Sequence, residues 1–135
     1  MNIGKLIYNK LTQVLFAIRH LRSVSTVRSR GLTFKLVSDN SITKYRAGSF
    51  NEKEPEMLDW LDANLQSGDV LFDIGANVGI YSIYAAKRNP KSMVYAFEPE
   101  YSNLHQLKLN IIKNKLHNIV IPFPFAISDQ TGISY

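Results

Sequence analysis

Asp73-Ile74-Gly75-Ala76-Asn77-Val78-Gly79 is followed, one strand-helix-strand unit later, by Phe97-Glu98-Pro99. An apolar run, Val70-Leu71-Phe72, leads into the first segment, and a helix-like stretch, Val78 to Arg88, leaves it. A second strand is expected from Met93 to Phe97, with Glu98 at its end. Glycines between a strand and a helix let the backbone turn sharply and come close to a ligand. A carboxylate closing the next strand can accept hydrogen bonds from ribose hydroxyls. Together these features predict a Rossmann-type β-α-β unit that holds an adenosine-containing cofactor.

The spacing narrows the cofactor. A dinucleotide fingerprint needs Gly-x-Gly-x-x-Gly, but counting from Gly75 the second and third positions are Asn77 and Ile80. No Gly-Lys-Ser/Thr is present, so the phosphate-binding loop of nucleotide hydrolases is also excluded. Asp73 would repel a pyrophosphate, because like charges oppose each other. It suits a cationic ligand such as S-adenosyl-L-methionine, which carries an ammonium and a sulfonium.

At this point the residues resemble a known family. Asp73 to Tyr81, Phe97-Glu98-Pro99, Leu107 with Asn110, and Ala126-Ile127-Ser128-Asp129 look like the FkbM family of S-adenosylmethionine-dependent methyltransferases. The match covers residues 69 to 132. The resemblance implies a class I methyltransferase fold and O-methylation of hydroxyls on saccharides or other small or lipid-linked metabolites. The expected fold class is α/β: an incomplete Rossmann-like core of three parallel strands, preceded by a β-hairpin and an N-terminal amphipathic helix. The family pattern continues with a fourth strand ending in Asp-x-x-Gly, which nothing here matches, so the expectation is the N-terminal, cofactor-binding part of such an enzyme.

Each candidate site residue has a functional and a plain reading. Gly75 and Gly79 would admit the methionine part of the donor, or simply form a tight turn. Asp73 would orient the ammonium, a role weakened if burial raised its pKa. Asn77 would offer its amide near the methionine tail, or stabilise the turn, which Asn does well. Glu98 would hold the ribose hydroxyls by charge-assisted hydrogen bonds, or be a solvated carboxylate. Pro99 would stiffen the next loop, Glu100 and Tyr101 would flank the adenine, and Phe125 and Ala126 would wall its other side. No catalytic base is assigned.

Charge is unevenly placed. Residues 1–30 carry Lys5, Lys10, Arg19, Arg22, Arg28 and Arg30 and no acid, while the remainder holds ten basic and eleven acidic residues. The net +5 therefore belongs to an N-terminal arm (1–30) and not to the methyltransferase-like part (31–135), which argues against a nucleic-acid-binding face across the fold. Ile7, Leu11, Val14, Leu15, Ile18 and Leu21 recur at helical spacing. The arm reads as a basic amphipathic helix over about 3–22, packing on its own domain or a partner, or attaching to anionic lipid. Its longest apolar run, Val14 to Ile18, is far below the ~20 residues that span a bilayer and too short for a secretory signal. The expected location is cytoplasmic, with peripheral membrane contact through 3–22 as the alternative.

There are no cysteines, and the three histidines, His20, His105 and His117, lack metal-ligand spacing. Leu32 to Val37 alternates as a strand, Ser38-Asp39-Asn40-Ser41 is a turn cluster, and Ile42 to Arg46 is expected to return as the second strand of a hairpin. Pro55 opens a helix carrying Met57, Leu58, Leu61 and Leu65, and Gly68 suits its C-terminal cap. A helix over about 102–116 and a third strand, Ile119 to Phe125, follow. Pro122 and Pro124 remove two ladder donors, so that strand is expected to be short, irregular or near an edge. Gln130-Thr131-Gly132 reads as a hairpin turn. A half sheet would also leave an unpaired edge and a bare apolar face, and self-association is expected. Two other readings stay open: a non-catalytic cofactor-binding remnant or partner-binding fragment, and an RNA methyltransferase of similar core.

Overall fold

The computed structural model describes residues 24–129 and 132. The arm helix over 3–22 and most of the Gln130-Thr131-Gly132 turn lie outside them. The elements run β1 (Val24–Ser29), β2 (Leu32–Val37), α1 (Ser41–Gly48), α2 (Phe50–Lys53), α3 (Pro55–Asn64), β3 (Val70–Ile74), α4 (Ile80–Arg88), β4 (Met93–Phe97), α5 (Tyr101–Asn114) and β5 (Val120–Phe123).

Strands β3, β4 and β5 form a parallel sheet in that order, with Val70 opposite Met93 and Val94 opposite Val120. Each step is a strand-helix-strand crossover, which is right-handed in nearly all proteins. Two successive crossovers in one direction place both helices, α4 and α5, on one face. Leu71, Asp73, Val94, Ala96 and Val120 point to that face. The other face is an aromatic ladder. Phe72 stacks on Phe97 (centroids 6.1 Å apart), Phe97 on Phe123 (5.0 Å), and Phe125 lies beside both. Phe72 and Ile74 are 60% and 61% exposed, and no described element covers this face. As expected from its prolines, β5 is an edge strand; Pro122 lies within it.

The hairpin differs from the sequence expectation. Its partner strands are β1 and β2, joined at Arg30-Gly31, both with positive φ (48° and 83°). Two such residues give the type I′ turn that matches strand twist. Ile42 to Arg46 is helical, not a strand. Asn40 caps α1 by accepting from the Thr43 N–H at 3.0 Å, while the Thr43 hydroxyl faces the Asn40 N–H. This reciprocal cap satisfies two orphan donors and outweighs the β-branched content of the segment. The α3 helix opens on Pro55 as read, but ends at a Leu65 cap, and Gly68 (φ 95°) sits in the loop beyond.

The hairpin lies over the outer side of α4 and α5, so α4 is enclosed by strands on two sides. Ser82, Ile83, Tyr84, Ala85 and Ala86 are consecutively buried, which explains why this helix is apolar nearly all round. The free edge of β2 is closed by amides of α5. Asn114 accepts from the Lys35 N–H (2.9 Å) and donates to the Lys35 carbonyl (2.6 Å). Asn110 accepts from the Val37 N–H (2.7 Å), and Gln106 donates to the Val37 carbonyl (2.7 Å). Four helical residues rise about 6 Å and two strand residues about 6.7 Å, so amides four apart match alternate strand positions. The second hand of Asn110 donates to the Val78 carbonyl at 2.8 Å, tying the hairpin to the glycine turn.

Candidate active site

The site is built where β3 and β4 end. The N–H groups of Gly75 and Ala76 both donate to the Phe97 carbonyl, at 2.9 Å each. The turn after β3 is thereby sewn to the end of β4. Asn77 occupies the left-handed region (φ 52°), which Asn tolerates better than most residues. Its N–H donates to Glu98 Oε2 at 2.7 Å, and the Glu100 N–H donates to Glu98 Oε1 at 2.9 Å. Glu98 is 5% exposed, so it is not a solvated strand-end group. It clamps two loops, and an ionised carboxylate, with four lone-pair sites, keeps two for other donors.

Asp73, on the helix-covered face of β3, accepts a hydrogen bond from the Ser82 hydroxyl. Its pKa is raised. Burial is the main cause, the Ser82 hydroxyl and N–H oppose it, and the Glu98 charge adds to it. The glycines divide their work. Gly79 (φ 78°) is buried, and a Cβ there would lie 2.1 Å from Leu107 Cδ1, so its missing side chain admits helix α5. Gly75 (φ 77°) is exposed, and nothing lies within 4 Å of where its Cβ would be. Open space for a ligand is at Gly75. A cavity of about 300 Å³ opens there, lined in part by Arg46, Asp73, Gly75, Asn77 and Tyr81. It adjoins a larger one of about 760 Å³ between α3 and the free edge of β3, lined by Met57, Trp60 and Phe72 among others.

Asp73, Gly75, Asn77 and Glu98 are thus brought together. The remaining candidates stand apart or are otherwise engaged. The Glu100 carboxylate caps α5, accepting from the Ser102 and Asn103 N–H groups (3.0 and 2.7 Å), and these bonds lower its pKa. Tyr101 is exposed and stacks on His105. Phe125 belongs to the aromatic ladder of the bare face, and Pro99 and Ala126 are exposed. Two residues of the site escaped the sequence reading. Ser82 had a signal, a serine in an otherwise apolar and aromatic helix stretch nine residues after Asp73. Arg46 had none, because its segment read as a strand.

No family model matches the chain. The chain is 35% identical over 69 residues to the 31-O-demethyl-FK506 methyltransferase FkbM of Streptomyces tacrolimicus, covering 51% of this chain and 26% of that protein. It is 31% identical over 70 residues to the methyltransferase sdnD of Sordaria araneosa, covering 52% and 27%. The matched half of the chain resembles the core of these FkbM-type S-adenosylmethionine-dependent methyltransferases. The chain spans about a quarter of the length of these curated relatives. Among solved structures, TYW2 of M. jannaschii, in complex with AdoMet, aligns with a TM-score of 0.50 at 27% identity, over 74% of this chain and 42% of that one. A SAM-dependent methyltransferase from Agrobacterium tumefaciens aligns with a TM-score of 0.52 at 14% identity, over 76% and 32%, and shows the same fold.

The residues of this core fit S-adenosylmethionine. Two carboxylates, Asp73 and Glu98, face one turn closely enough that the charge of one raises the pKa of the other. A ligand bearing ammonium and sulfonium charges relieves that repulsion, whereas an anionic one would add to it. The described residues hold no cluster of metal-ligating side chains. No helix among them is long and apolar enough to cross a membrane.

Proposed function

We propose that this chain forms the donor-binding part of an S-adenosylmethionine-dependent O-methyltransferase acting on a hydroxyl of a saccharide or a related small or lipid-linked metabolite. The observation that carries this reading is the joining of the Asp73–Gly79 turn to Glu98 through the Asn77 N–H. When bound, S-adenosylmethionine supplies an electrophilic methyl group. The chain's own residues then act by holding its two ends. Glu98 has acceptor sites left for the ribose hydroxyls, Gly75 leaves space for the methionine part, and Asp73 meets the ammonium. Fixing a reactant in line is worth roughly 7–11 kcal/mol of a barrier, so alignment is the main contribution of such a site. The 760 Å³ cavity at the free edge of β3 reaches Asp73 from the apolar side and suits the acceptor.

The test is calorimetric titration with S-adenosylmethionine and S-adenosylhomocysteine, beside Glu98→Gln. Glutamine keeps one acceptor for the Asn77 N–H but gives up the charge. Saturable binding, weakened about tenfold or more in the variant, is the expected result. A folded wild-type chain that binds neither compound removes the donor-site reading.

A further inference from the structure

Arg46 lies in the last turn of α1, outside every motif of the core, and it is half-buried. Its Nη1 donates to the Asn77 side-chain oxygen at 2.5 Å. That oxygen also accepts from the Val78 N–H at 2.9 Å. Arg46 and Asp73 line the same 300 Å³ cavity above Gly75. Three other cations of the described residues meet acids: Arg30 reaches Asp59 and Asp62, Arg88 reaches Asp62, and Lys53, on this cavity, pairs with Glu54 at 3.3 Å. No carboxylate lies within ion-pair distance of Arg46 among the described residues. A guanidinium has five N–H donors in a fork suited to a carboxylate, and the Asn77 oxygen takes one.

We infer that Arg46 binds the carboxylate of the donor's amino-acid end, while Asp73 takes its ammonium. This rests on the donor-site reading above and adds the recognition of a zwitterion. With Lys53 and Glu54 paired to each other, Asp73 and Arg46 leave one anionic and one cationic group on a single small cavity, which match an α-amino acid, whose opposite charges are fixed close together. The arrangement also gives the α1 segment a function. It would close the methionine end of the pocket and select donors that carry both charges.

The discriminating probe is decarboxylated S-adenosylmethionine, which keeps the sulfonium and an ammonium but lacks the carboxylate. Both compounds are titrated into the wild-type chain and into Arg46→Gln, with thermal melts of each. Glutamine can still donate to Asn77, so the turn keeps its brace. The wild type should prefer S-adenosylmethionine by about tenfold or more, and Arg46→Gln should bind both compounds alike, at the wild-type affinity for the decarboxylated one. Equal affinities in the wild type overturn the inference without recourse to a variant. So does a folded Arg46→Gln that retains the preference. In either case the donor site itself stands. A wild-type chain that binds neither compound overturns both readings.

Discussion

Asp62 and Asp73 sit at opposite ends of helix α4 in unlike company. Asp62 accepts from the Tyr84 hydroxyl at 2.7 Å, from Arg88 at 3.0 Å and from Arg30 at 3.1 Å. Burial pushes its pKa up, but the hydroxyl and the two guanidinium groups outweigh this and hold it below the ordinary value. The same hydrogen bond, after burial, pushes Tyr84 up to about 12. Asp73 has a hydroxyl, a backbone N–H and a second carboxylate, and its pKa moves the other way. One end of the helix is electrostatically closed. The other is left anionic, as a site that awaits a cation would be. Structural ion pairs satisfy themselves, whereas binding sites carry groups whose partners are elsewhere.

The largest effect should come from the glycines, and it separates packing from binding within the anionic end. Gly79→Ala places a methyl against Leu107 and forces a left-handed backbone on alanine. The two penalties together are roughly 2–5 kcal/mol. Gly75→Ala meets open space and should cost only the backbone term, about 1–2 kcal/mol, while impairing donor binding. Chemical denaturation of both variants checks the order. Equal losses would show that the two glycines serve the same purpose.

The Gly75 to Gly79 turn and Glu98 were legible because they depend on local chemistry. A strand period that breaks at glycine, resumes as a helix and returns as a strand ending on an acid can be read from neighbours alone. Ile42 to Arg46 misled for the same reason. Its apolar and β-branched residues read as a strand, and the decision lay in the reciprocal bonds of Asn40 and Thr43. The first strand of the hairpin, Val24–Ser29, was hidden in a segment read as the end of a basic arm. Arg46 at Asn77 and Asp62 at Arg30 were out of reach, since each joins residues about thirty positions apart. Asn110 carried a family signal, but not the reason for it, which is the free edge of β2.

Charge removal should act with opposite signs at the two ends. Asp73→Asn takes a desolvated charge away from Glu98 while keeping an acceptor for Ser82. It should stabilise the free protein by about 0.5–2 kcal/mol and weaken binding of the cationic donor. The pH dependence follows the same logic. Asp73 is raised, so its protonation favours the folded state: its contribution is fully present below the unfolded pKa, about 3.9, and is lost as pH rises through the folded value. Donor binding should weaken as pH falls through that raised value, where the carboxylate is lost. Melts and titrations across pH 4 to 8 check both trends. A destabilised Asp73→Asn would mean that the carboxylate is structural.

Asp62→Asn should be destabilising by about 1 kcal/mol, a modest figure because its two arginine partners are partly exposed and screened. Asp62 is lowered, so its contribution is present above about pH 3.9 and is lost as pH falls through the folded value. The deficit of the variant should therefore shrink on acidification. A deficit that stays constant across that range would assign the loss to packing.

The smallest stability effect is expected on the bare sheet face. Phe72 is 60% exposed, and its described ring contacts are with Tyr95 and Phe97 on the same face. Threonine is β-branched and suits a strand, but the two ring contacts are lost, so Phe72→Thr should cost only about 0.5 kcal/mol. Its effect on association should be larger. An aromatic ladder beside an unpaired strand edge is where a second copy would seat, and at Phe72 that copy would border the 760 Å³ cavity that reaches Asp73. Sedimentation of the wild type against Phe72→Thr tests this. Self-association that falls in the variant, with the pH trends of both aspartates unchanged, would place association on the ladder. Association that persists unchanged would exclude the ladder as its origin.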